Sequence, residues 1–190
     1  MINLYFQVRG QGTPILCLHG HPGNSQAMAV FTDHLCQNYQ TVTPDLRGYG
    51  RSKPRGNFQM IDHLEDLTQL LDQQGIGECL ILGWSLGGIL GLELALQFPQ
   101  RVKGLILVGT AARPRGSHPP ITWQDNLYTG MAALINALSP GWQWNIDTFG
   151  KRSLFRYLIQ KHTPEAYQWI AKAAVPAYLQ TTPEANQALN

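Results

Sequence analysis

One serine in this chain stands where nucleophilic chemistry is possible: Gly83-Trp84-Ser85-Leu86-Gly87, followed at once by Gly88. A serine hydroxyl attacks a carbonyl effectively only when a base removes its proton and donors stabilise the negative charge that develops. The apolar run Cys79-Leu80-Ile81-Leu82 reads as a strand entering the motif, and Leu86 to Phe98 reads as a helix leaving it. Ser85 is therefore expected at a sharp strand-to-helix turn with strained backbone angles. Glycine two residues before and two residues after it removes side chains that would collide there. A second glycine-containing segment, His19-Gly20-His21-Pro22-Gly23, follows the apolar run Ile15-Leu16-Cys17-Leu18. A plain Gly/Pro turn is the bland reading of that segment.

These segments need a scaffold. The first half alternates short β-rich runs with helical patterns, the order of an α/β fold with a mostly parallel sheet flanked by helices. Strands are expected at Leu4 to Val8, Ile15 to Leu18, Thr41 to Asp45, Cys79 to Trp84 and Gly104 to Gly109, the last a buried one. Helices are expected at Ser25 to Cys36, Ile61 to Gln73 and Leu86 to Phe98. After Thr110 a proline-rich loop runs through Pro120, and helical patterns then follow at Trp123 to Leu138, Arg152 to His162 and Pro164 to Leu179. Thr163-Pro164-Glu165 and Thr182-Pro183-Glu184 share a helix-start grammar, with threonine at the N-cap and proline at the first helical position. The aromatics Trp123, Trp142, Trp144, Tyr157, Tyr167 and Trp169 make this part a helical layer over something apolar, or an ordinary core.

Composition narrows the function classes. A chain of 190 residues with 44% hydrophobic and 14% charged residues and a formal net charge of +2 suits one globular domain. It asks for neither a nucleic-acid nor a membrane partner, since its basic clusters are short and its apolar runs fall well below the roughly 20 residues of a membrane helix. Three cysteines without Cys-x-x-Cys spacing, and an N-terminus without an export signal, imply a cytoplasmic home. His19 and His21 two residues apart, with no third ligand nearby, are not a metal site.

The chain resembles the α/β-hydrolase superfamily, in its lidded branch with a serine nucleophile. The resemblance runs from Tyr5 to about Thr110. It is carried by His19-Gly20-His21-Pro22-Gly23, by Asp45-Leu46-Arg47-Gly48-Tyr49-Gly50-Arg51-Ser52 and by Gly83-Trp84-Ser85-Leu86-Gly87-Gly88. It implies a hydrolase core over 1–110 and a helical lid over 111–190. Ser85 is then the nucleophile, and the backbone amides of His21 and Leu86 form the oxyanion hole. His19, Gly20, Gly83, Trp84, Gly87 and Gly88 support those motifs, while Asp45 and Arg47 form a structural pair bracing the loop. No cofactor and no metal are implied, and the substrate is a small molecule with an apolar part.

The implied reaction is cleavage of a small carboxylic ester through an acyl-enzyme. A C-C hydrolase, an aminopeptidase and a perhydrolase are alternatives within the enzymes. The family order places an acid and then a histidine after later strands, and no later strand signal is seen. Downstream of Ser85 the histidines are His118 and His162, and Asp147 followed by His162, which keeps the order, is the internal candidate. The chain is thus expected to be truncated before its last core strands, with the strand at Gly104 to Gly109 left as a sheet edge prone to self-association. A catalytically inactive domain that binds an apolar ligand is the reading from a different class.

Overall fold

The apolar runs become strands because each is four to seven residues long and is closed by a turn or a helix start. They are β1 (Phe6–Arg9), β2 (Pro14–Leu18), β3 (Gln40–Pro44), β4 (Cys79–Trp84) and β5 (Val102–Val108), in the order β1-β3-β2-β4-β5. β2 pairs parallel with β3 and β4, and β4 pairs parallel with β5. β1 runs antiparallel to β3, with Phe6 opposite Pro44. The computed structural model describes residues 2–110 and 122–189. The proline-rich loop through Pro120 and His118 within it lie outside the described residues.

Successive side chains on a strand point to opposite faces, and that alternation builds two cores here. Ile15 and Cys17 of β2 join Met28 and Leu82 on one face. Leu16 and Leu18 join Leu64, Leu67, Leu90 and Leu94 on the other. The helices that cover the sheet are α1 (Ala29–Leu35), entered through a 3-10 turn at Ser25–Met28, α2 (Met60–Gln73) and α3 (Leu86–Gln97). A reciprocal Gln59–Asp62 capping box starts α2. The mostly parallel sheet flanked by helices is thus the expected α/β architecture. β5 lies at the sheet edge, the alternative to the buried strand that its apolar run suggests: Ile106 and Leu107 are 44% and 42% exposed, while Val102 and Leu105 pack against the core.

By its internal contacts the chain divides into Met1–Ala112 with Gln180–Asn190, and Arg113–Leu179. The second unit contains α4 (Trp123–Leu138), α5 (Gln143–Thr148), α6 (Phe155–Leu158), α7 (Pro164–Trp169) and α8 (Val175–Leu179), with a π-helical turn at Ile170–Ala174 joining the last two. The helix expected over Arg152 to His162 is broken into a 3-10 turn and the short α6, and α5 has no counterpart among the expected helices. Ala132, Ile146, Phe155, Tyr167 and Ile170 form the core of this unit. Trp123, Trp142 and Trp144 stay half exposed or more, so only part of the aromatic set serves as core.

The last helix, α9 (Pro183–Ala188), corrects the expected boundary of 111–190. The Thr182 side chain caps it by accepting from the Ala185 amide, and the Thr182 amide donates to the Gly48 carbonyl at 2.8 Å. Ala185 is buried in the sheet-side core, where a Cβ at Gly48 would lie 2.7 Å from its own. Residues 180–189 therefore belong with the first unit.

Candidate active site

Ser85 connects β4 to α3 with φ 52° and ψ −111°, the one non-glycine residue with positive φ among the described residues. An L-residue in such a region carries strain on the order of 1–3 kcal/mol, which surrounding packing must enforce. The enforcement is visible. The Ser85 amide donates to the Val108 carbonyl at 2.8 Å, and the Ser85 carbonyl accepts from the Gly88 and Ile89 amides in the first turn of α3.

The neighbouring glycines are steric requirements of the turn. A Cβ at Gly83 would strike Gly88, and one at Gly88 would strike the Thr110 side chain. One at Gly87 would strike the Leu18 carbonyl and lie 2.8 Å from that of His19. Gly87→Ala is accordingly expected to cost about 1–3 kcal/mol, because rigid backbone must give way. Gly77→Ala, where a Cβ meets nothing within 4 Å, should change stability by less than about 0.5 kcal/mol. Paired thermal melts check this, and equal midpoints would contradict it.

The turn after β2 lies against Ser85. A Cβ at Gly20 would sit 3.0 Å from the Ser85 Cβ, so the absence of a side chain lets the two segments touch. His21 is half-buried and joined to Pro22 by a cis peptide bond. Its Nδ1 is 2.9 Å from the Tyr49 hydroxyl. Leu86 is the first residue of α3, so its amide has no acceptor within the helix. Among the described residues no hydrogen-bond acceptor meets the amide of His21 or of Leu86. Trp84 is half-buried, with its ring edge-on to Phe31 at 5.8 Å.

Behind the turn lies a buried polar layer. His19 is fully buried, its Nδ1 2.9 Å from the Gly20 carbonyl and its Nε2 3.0 Å from the Leu46 amide. Asp45 and Arg47 do brace the loop after β3, but not as a pair with each other. Asp45 accepts from the Ser25 amide at 2.6 Å and the Arg51 amide at 2.8 Å. Arg47 makes a two-pronged ion pair with Asp66 of α2, both contacts 2.6 Å, with Asp62 at 3.5 Å. Asp147 and His162 do not meet. Asp147 binds Lys151 and Gln143, and His162 Nδ1 is 2.9 Å from the Tyr167 hydroxyl. Among the described residues no histidine is hydrogen-bonded to the Ser85 hydroxyl.

Burial pushes His19 and His63 down from 6.5 to about 4, because an imidazolium there loses its hydration. Between those limits the unfolded chain binds more protons than the folded one. The resulting stability is complete above pH 6.5 and declines as pH falls toward 4. A lower urea midpoint at pH 5 than at pH 7.5 is expected, and a flat profile would show that both rings are solvated.

The sequence alone assigns no role to Tyr49, Gly23 or Thr110, although Gly23 and Tyr49 stand inside the motifs after β2 and β3. Tyr49 is wholly buried between both histidines of the turn, with ring centroids at 5.1 Å from His19 and 5.8 Å from His21. The only sequence signal for it was its place inside the glycine-rich loop after β3.

Comparison with known proteins extends this picture. A family model described as the alpha/beta hydrolase fold matches residues 13–136. A putative carbamate hydrolase, RutD, of Azorhizobium caulinodans is 34% identical over 115 residues, which is 60% of this chain and 43% of that protein. A pimeloyl-[acyl-carrier protein] methyl ester esterase of Aliivibrio fischeri is 36% identical over 110 residues, 58% of this chain and 41% of that protein. The matched stretch spans less than half the length of either relative. An esterase structure from Exiguobacterium antarcticum aligns with a TM-score of 0.68 at 23% identity, over 97% of this chain and 67% of that one, a likeness of fold. No described helix is long and apolar enough to cross a membrane.

Proposed function

The chain belongs to the α/β-hydrolase fold family, and from that membership we propose that it is a serine hydrolase acting on a small carboxylic ester. The observation that carries this reading is the strained backbone of Ser85 at the β4–α3 junction, with Gly20 packed against its Cβ. A side chain held at such a turn is presented outward from the backbone instead of being absorbed into helix or strand.

In this reading the Ser85 Oγ attacks the ester carbonyl and the carbonyl oxygen takes up negative charge. The amides of His21 and Leu86, both without an acceptor among the described residues, donate to that oxygen. One such donor is worth about 10²–10³ in rate in related acyl-transfer chemistry. Collapse of the tetrahedral adduct expels the alcohol, and water then hydrolyses the acyl-enzyme. The base that accepts the Ser85 proton is assigned to none of the described residues. His19 is ruled out because both its ring nitrogens are engaged. The relatives' names mention a methyl ester and a carbamate. Both groups are carbonyls bearing a heteroatom leaving group, the class that an oxyanion pair serves.

The absence of a histidine on the Ser85 hydroxyl among the described residues favours one other reading, a catalytically silent domain that binds an apolar ligand. A fluorophosphonate probe separates the two. Covalent labelling mapped by mass spectrometry to Ser85 supports the hydrolase. A folded chain that stays unlabelled yet binds a hydrophobic dye reversibly would favour the binding domain.

A further inference from the structure

His19 is a fully buried imidazole that no step of the proposed reaction uses. Its protonation state follows from its partners. The Leu46 amide, 3.0 Å from Nε2, can only donate, so Nε2 must accept. The neutral ring then carries its hydrogen on Nδ1, which donates to the Gly20 carbonyl at 2.9 Å. Gly23 keeps this contact open, since a Cβ there would lie 2.9 Å from Nδ1 and strike the Gly20 carbonyl. Tyr49 stands edge-on to the His19 ring and bonds His21 Nδ1 through its hydroxyl. Gly20-His21 is thus tied twice to the Leu46–Tyr49 turn, once through its carbonyl and once through its imidazole.

We propose that His19 is a positioning residue for the Gly20-His21 segment, its neutral ring bridging that segment to the loop after β3. The proposal rests on the reading of Ser85 and the His21 amide given above. Gly20 abuts the Ser85 Cβ, so a shift of this segment changes the distance between the His21 amide and an adduct on Ser85. A misplacement of about 1 Å costs on the order of 10²-fold in rate. Asp45 and Tyr49 of the same loop, His21 of the turn and His63 of α2 are the titratable groups around the ring. His63, itself buried, places no full charge there at neutral pH.

The test uses the intact chain with His19→Leu and His19→Gln. The maximal rate of fluorophosphonate labelling is separated from probe affinity, and hydrogen exchange is followed at the Leu46 amide. His19→Leu is expected to lower the maximal rate about 100-fold while leaving affinity within about threefold. Glutamine can still accept from the Leu46 amide through its side-chain oxygen. It should recover most of the rate and keep that amide protected, whereas the leucine variant exposes it. Wild-type rates in both variants overturn the proposal, as do equal losses in both with Leu46 equally protected. Should the leucine variant fail to fold, the glutamine variant read against Asn, which is too short to reach Leu46, makes the same contrast. An unlabelled wild-type chain would count against the Ser85 reading, and the exchange contrast at Leu46 then decides the tether alone.

Discussion

Ser85→Ala is expected to abolish fluorophosphonate labelling and to reduce ester turnover by as much as about 10⁶-fold, the scale at which nucleophile removal leaves only binding and oxyanion effects. The substitution removes one oxygen atom and leaves the backbone demand intact, since alanine at φ 52° carries the same strain as serine. Stability should therefore change little. Ser85→Gly sharpens the test. Glycine adopts positive φ freely, so relief of on the order of 1–3 kcal/mol of strain competes with its greater entropy loss of about 0.5–1 kcal/mol. The glycine variant is expected to melt at or above the wild-type temperature while remaining unreactive, a trade between stability and function located in one residue. Labelling that persists in Ser85→Ala would assign the reactive serine elsewhere.

The largest expected loss of stability comes from Asp66→Ala. Arg47 and Asp66 have side chains 8% and 0% exposed, so the guanidinium left behind has little access to water. Breaking a buried pair from one side costs about 3–5 kcal/mol, mostly as an uncompensated charge. In a chain of this length each kcal/mol moves the melting temperature by about 2–4 °C, so a fall of roughly 10 °C is expected. Asp66 also accepts from the Ile2 amide at 2.9 Å, and that bond is lost as well. Asp62, 3.5 Å from Arg47, is the remaining partial partner. The double substitution Arg47→Met with Asp66→Ala removes the stranded charge and should be more stable than Asp66→Ala alone. Destabilisations that simply add, measured by urea unfolding, would refute the argument from unpaired charge.

Both effects fall on the same surroundings. Arg47 holds the loop after β3 to α2, and that loop supplies Leu46 and Tyr49 to the turn beside Ser85. The ion pair lies one layer behind the residues proposed to do chemistry. A variant that weakens it is expected to lose labelling rate at temperatures well below its melting point.

Much of this was legible in the chain itself. The strand at Cys79–Trp84, the helix Trp123–Leu138 and the threonine caps at Thr163 and Thr182 follow from periodicity and cap grammar. The turn at Ser85 was also legible, because Gly83, Gly87 and Gly88 flank it in sequence as well as in space. Less legible was the partner of Arg47. It looks like Asp45 when only neighbours are weighed, yet Asp66, 19 residues on, takes it. Tyr49 likewise reaches His21 across 28 residues, and no period or motif joins them.

The amino-acid sequence by itself determined which segments become strand, helix and turn around Ser85, because those choices depend on contacts within a few residues along the chain. Only the tertiary structure decided that Gly20 touches the serine, that His19 and Tyr49 tether the turn from behind, and that α9 returns to pack beside Gly48. Those are contacts between residues far apart in sequence. Burial and the pairing of buried polar groups choose among them, and neither exists until the chain has closed on itself.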